Sequence, residues 1–319
     1  MKLEGLASKL SDINQLGLTP ALRERLGIAN ADVTRGRLMA QADDARSHLG
    51  VYLLAAFVVD DTDAWGDGEI YWWCIPAMVG ADGQVRKNVL HHLPSGAAPH
   101  KVGSLEWMSN ISLGEPPLLA VIPPDSDLKT CALRLGFYDD DGKPADIEAA
   151  MKSGLEAWAQ LSDQSLPGQE QIFLPVRQAI WTALNAAEDD ILLEQDWLMR
   201  KGESVPFGAG MIDSLINAKI RLYLLVRDEQ HTEQFGPVQL HKGQSETVRF
   251  SQPMRSGGRL ALFARGADVH CTSFGDLSAD MPFQNRVILG SQEAQLQQGF
   301  SVVGNGPAKF IAFYTPPAL

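Results

Sequence analysis

The sequence predicts a mainly β protein with some α content: two antiparallel β-sandwich domains joined by an αα-hairpin, with an N-terminal helical arm. Three observations carry this. Short apolar stretches separated by Pro, Gly and Asp clusters recur through residues 51–138 and again through 218–314, the pattern of a sandwich or barrel. Between those regions the apolar residues return every three or four positions, the helical period. With 319 residues, 45% of them hydrophobic, the chain suits two domains of about 150 residues, each able to bury a core.

The elements follow in order. Residues 1–48 form the arm. Leu10, Ile13, Leu16 and Leu18 make a partial stripe, and Thr19-Pro20 reads as an N-cap followed by the first helical position. Residues 49–142 form the first sandwich. The run 51–59, VYLLAAFVV, is too short for a buried helix and stops at two aspartates, so it is read as a strand. Further strands are expected at 69–79, 84–93, 105–112, 118–122 and 130–138. Residues 143–210 hold the hairpin. One helix carries Ile147, Met151, Leu155 and Trp158; the other carries Phe173, Val176, Ile180, Leu184 and Ile191, with a break at 165–168. Residues 211–319 form the second sandwich, with strands expected at 218–226, 239–241, 247–250, 259–264, 287–290, 298–303 and 309–314.

Composition excludes several functions. With 27 basic against 39 acidic residues the net charge is -12, which argues against a phosphate-binding surface, and no Lys/Arg run longer than two is present to suggest nucleic acid. The same charge repels anionic lipid, so peripheral membrane contact requires a bridging cation. No apolar run reaches the roughly 18 residues of a membrane span. The first thirty residues lack a signal-peptide core, so a cytoplasmic location is expected. Three scattered cysteines, Cys74, Cys131 and Cys271, do not make a disulfide framework, and the first two lie in apolar strands as buried thiols.

Candidate chemistry centres on acidic turns. Asp60, Asp61, Asp63 and Asp67 share one strand-to-strand loop, and Asp139 to Asp141 occupy another. Ca²⁺ takes about six to eight oxygen ligands, and aspartate-dense loops with glycine supply them. If both loops lie at one rim, Asp60, Asp61, Asp63, Asp67, Asp139 and Asp141 form a divalent-cation site; the bland alternative is solvated turn residues. The EF-hand pattern fails, because aligning Gly66 with its glycine puts Trp65 and Trp72 at ligand positions. Trp65, Trp72 and Trp73 offer a carbohydrate-stacking alternative, although consecutive strand residues face opposite sides, so Trp72 and Trp73 cannot enter one core together. His91, His92 and His100 lie around a Pro/Gly loop without the carboxylate or cysteine spacing of a metal site. No nucleophile-elbow or catalytic-cysteine signature is present, and His270 and Cys271, if extended, point to opposite faces.

An apolar strand closed by Asp60-Asp61, a short loop, a second strand and the later Asp139 cluster resemble the C2 class of calcium-binding sandwiches over residues 51–141. The phrase DDTDAWGDGEIYWW is also similar to the opening of β-sandwich modules in uncharacterised bacterial proteins. The C2 resemblance implies Ca²⁺-dependent docking to membrane or protein, with Asp61, Asp67, Asp139 and Asp141 at the matching positions. The chain departs from that class in its inserted helical hairpin and in lacking a basic strand. The expected function is therefore that of a non-enzymatic interaction or structural protein. Its acidic loops bind a divalent cation or a protein partner, and a larger toxin, phage-like or secretion assembly is a fitting context.

Overall fold

A computed structural model describes residues 49–61, 68–80, 85–87, 100–122, 128–139, 191–200, 209–289 and 299–317, with isolated positions between 153 and 179. The expected N-terminal arm lies outside the described residues. The strands of the first half are β1 (Leu49–Val58), β2 (Gly68–Gly80), β3 (Val85–Lys87), β4 (His100–Val102), β5 (Glu106–Trp107), β6 (Leu118–Ile122), β7 (Leu128–Asp139), β8 (Ile191–Arg200), β9 (Met211–Ile216) and β10 (Ile220–Asp228). Those of the second half are β11 (Glu233–Leu240), β12 (Ser245–Val248), β13 (Arg259–Gly266), β14 (Val269–Cys271), β15 (Gly275–Leu277), β16 (Phe283–Val287), β17 (Phe300–Gly304) and β18 (Ala308–Thr315).

They form four antiparallel sheets. Sheet A runs β5-β1-β10-β9, with β6 beside β1. Sheet B runs β3-β2-β7-β8, with β4 beside β2. Their facing sides share one core: Val51, Leu53, Leu222 and Leu224 from A meet Trp72, Cys74, Leu135 and Phe137 from B. The Trp72 and Phe137 rings stack at 5.8 Å. Sheet C runs β11-β18-β13-β16 and sheet D runs β12-β17-β14-β15, around a core that includes Leu262, Phe310, Val269 and Val302. Successive strands alternate between C and D except at the β14–β15 hairpin, so that two Greek keys interlock, the jelly-roll arrangement.

Sheet A is buried on both faces. Its second face packs on the outer face of sheet C: Tyr223 lies 5.2 Å from Phe263 and 5.8 Å from Phe283, and Trp107 lies 5.9 Å from Phe263, between ring centroids. The layers therefore stack B, A, C, D. This explains the unbroken apolar run of β1, since a strand covered on both sides has no polar face to show. A bulge between Leu53 and Ala55 also shifts its phase. Val51 and Leu53 face sheet B before the bulge, and Ala56 and Val58 face it afterwards.

The αα-hairpin is corrected. Among the described residues helix is confined to Ser153, Gly154, Glu156, Ala157, Leu174, Gln178 and Ala179, and nearly everything else that is regular is strand. Ile191, expected at a helix end, instead opens β8, which pairs with β7 along its length. Leu193, Trp197 and the half-buried Met199 face the core. Glu194 and Asp196 lie on the other face, where they meet Arg134. Apolar residues here alternate with polar ones, and pairing with β7 makes the segment a strand. The pairings also carry β9 and β10 into sheet A beside β1, so the chain passes from one sandwich to the other at residues 228–232.

Candidate functional site

The acidic rim lies where sheets A and B meet. Residues 59–61 leave β1, Gly68 opens β2, and β7 ends at Asp139, opposite Ile70. Asp61 and Asp139 are both buried, at 4% and 3% exposure. They converge on Gly68: a methyl group there would sit 2.9 Å from Asp61 Cβ and 3.0 and 3.3 Å from the two Asp139 carboxylate oxygens. The glycine leaves the space that Asp61 Cβ and the Asp139 carboxylate occupy. Ser104 fixes Asp61 by donating its hydroxyl to Oδ1 at 2.8 Å and accepting the Asp61 amide at 3.1 Å. The Glu69 amide donates to Asp139 Oδ1 at 2.7 Å.

The two predicted loops thus reach one rim through Asp61 and Asp139, while Asp60 is exposed beside them. Asp63, Asp67 and Asp141 lie outside the described residues. Among the described residues, no three His, Cys, Asp or Glu side chains gather as a metal would require. No cationic side chain pairs with Asp61 among them.

The other sequence candidates separate. Trp72 and Trp73 are buried at 1% and 0% exposure, on opposite faces of sheet B, so neither offers a ring to a sugar. Trp65, His91 and His92 lie outside the described residues. His100 is half-buried, and desolvation lowers its pKa. His270 is exposed and bonded to Asp276 at 2.6 Å, whereas its neighbour Cys271 is buried in the second core, the opposite-face placement expected of a strand.

Two further constellations escaped the sequence reading. On the outer face of sheet B, Arg134 lies 3.0 Å from Glu194 and 2.9 Å from Asp196, and Tyr138 donates to Glu194 at 2.9 Å. Burial, then the Glu194 charge, pushes the Tyr138 phenol well above its usual pKa. This cluster ties the edge strand β8 onto β7. The second is a cleft of about 570 Å³ at the mouth of the A–C interface, where residues 228–232 cross between sandwiches. Asp228, His231, Arg255, Arg259 and Pro316 are among its lining residues. Its members come from four distant stretches of chain, and no local motif marks them.

No protein-family model and no curated protein matches the chain. Among solved structures, the chain is similar to human GIVD cytosolic phospholipase A2 in complex with methyl gamma-linolenyl fluorophosphonate inhibitor and terbium chloride. That match has 9% identity and a TM-score of 0.22, and covers 86% of this chain and 33% of that one. A second structure of human GIVD cytosolic phospholipase A2 matches with 11% identity, the same TM-score and the same coverage. The chain spans about a third of the length of these solved chains. A TM-score of 0.22 carries no argument about fold or activity, and the C2-like resemblance stays unconfirmed.

Proposed function

We propose that this protein is a non-enzymatic interaction protein whose first sandwich binds a divalent cation, Ca²⁺ by preference, at the acidic rim. The observation that supports the reading is the convergence of Asp61 and Asp139, from different sheets, on the space above Gly68. Carboxylates brought to one buried rim repel one another when ionised, and a cation coordinated by both removes that cost. The remaining aspartates of the two loops supply further oxygens. A protein partner completes the coordination, as suits a docking module within a larger assembly.

Calcium titration followed by thermal melting tests this. Calcium at 100 times its dissociation constant adds about 2.7 kcal/mol to the folded form, which raises the midpoint by several degrees. Asp61→Asn and Asp139→Asn keep an acceptor oxygen for Ser104 and for the Glu69 amide while removing the charge, and each abolishes the rise. An unmoved wild-type midpoint at millimolar calcium, or an equal rise in both variants, contradicts the cation reading.

A further inference from the structure

The cleft between the sandwiches has the features of a small-molecule site. Asp228 ends β10 and folds the chain back. Its Oδ1 accepts the amides of Gln230 at 2.9 Å and His231 at 2.8 Å, and both its oxygens lie 3.1 Å from His231 Nδ1. The carboxylate is thus occupied by its own turn. Arg255 and Arg259 also line the cleft. Among the described residues neither guanidinium has a carboxylate partner; Arg259 reaches only Met211 Sδ, at 3.9 Å. In a chain of net charge -12, two such arginines lining one cleft stand out.

Both arginines are held at the backbone. The Arg255 amide donates to Tyr314 Oη at 2.7 Å, and its carbonyl accepts the Gly258 amide at 2.9 Å. Arg259 lies in β13, paired with Thr315 on one side and Val287 on the other. Gln252 adds an amide, and Pro316 and Pro317 add an apolar wall. The volume, about 570 Å³, falls within the range of small-ligand sites.

We propose that this cleft binds a small molecule through an oxyanion head, a phosphate or a carboxylate, gripped by Arg255 and Arg259, with its body against Pro316 and Pro317. Guanidinium forks match the planar edges of such groups and bond them in pairs. The negative overall charge argues against a basic surface, but it does not exclude a pair of arginines, Arg255 exposed and Arg259 half-buried, at one cleft. This site is separate from the acidic rim and independent of calcium.

The test uses the full chain in calcium-free chloride buffer at fixed ionic strength, titrated with inorganic phosphate or with succinate while the melting midpoint is followed. One of the two raises the midpoint saturably, and which one does so identifies the head group. Arg255→Gln or Arg259→Gln weakens that binding by about tenfold or more, the loss expected for a charge-assisted bond. Arg249→Gln, at an exposed arginine outside the cleft, leaves it unchanged. Phenylglyoxal labelling of the wild type needs no variant: the effective anion protects Arg255 and Arg259 but not Arg249. No midpoint rise with either anion overturns the proposal. So does a rise that both glutamine variants retain, or labelling of Arg255 and Arg259 that the anion does not slow.

Discussion

Gly136 and Gly68 each shape the first sandwich by lacking a side chain. Opposite Gly136, the Trp73 indole lies so close that any Cβ would collide with its ring. Gly68 leaves room for Asp61 and Asp139. Neither role is visible in sequence, because the neighbour that demands the glycine lies on another strand. Burial of the thiols was legible: Cys74 and Cys131 sit in apolar runs and are free and buried, as is Cys271. Desolvation raises Cys74 well above the usual thiol range, and pushes Cys131 and Cys271 up to about 12. An unfolded thiol ionises near 8.5, so the unfolded state holds fewer protons than the native state between about pH 9 and pH 12. The stability these neutral thiols contribute is complete below that window and is lost as pH rises through it. Urea midpoints therefore fall between pH 8 and pH 10.5. At pH 8 a thiol reagent labels no cysteine in the native protein and three in denaturant.

At the level of elements, β1, β2, β6, β7, β10, β13, β17 and β18 were readable from apolar runs bounded by turn residues. The failures have a shared cause. β8 carries Glu194 and Asp196 in mid-strand, and their partner Arg134 lies sixty residues away in sequence. β9, MIDSLI, is a six-residue edge strand whose apolar residues are interrupted by Asp213 and Ser214, too short a pattern to register alone. Its outer edge is closed by a single side chain: Asn285 of β16 accepts the Ile212 amide at 2.9 Å and donates to the Ile212 carbonyl at 2.6 Å. This mimics a neighbouring strand and protects an edge that would otherwise invite pairing. Asn285→Ala leaves both backbone groups without their partner. It should destabilise the protein by about 1–3 kcal/mol, and hydrogen exchange should accelerate at the Ile212 amide more than at amides in the centre of β10. Unchanged exchange at Ile212 would show that the contact does not seal the edge.

At the scale of the whole molecule, the sequence indicated two sandwiches but not that they stack. Stacking rests on residues such as Tyr223 and Phe263, which sequence alone assigns to two separate cores. Arg265 adds to the joint, its guanidinium donating across it to the carbonyls of Met108 at 3.5 Å and Ile111 at 3.4 Å. The two sandwiches should therefore unfold together. Phe263→Ala removes the centre of the aromatic contact, at a cost of about 3–5 kcal/mol. Calorimetry should show the single wild-type transition separating into two; a wild type that already melts in two steps would contradict the coupling. Of the candidate site, the nearness of Asp61 and Asp139 was the part most legible in sequence, since two aspartate clusters lie at strand ends of one sandwich. The arginine cleft was not, because it exists only once residues 228–232 bring the second sandwich against the first. The rim also carries the functional account, and crystals grown in millimolar calcium test it most directly by anomalous diffraction. The account predicts a cation peak about 2.3–2.6 Å from carboxylate oxygens of Asp61 and Asp139. A well-ordered rim with both carboxylates in place and no peak between them would contradict it.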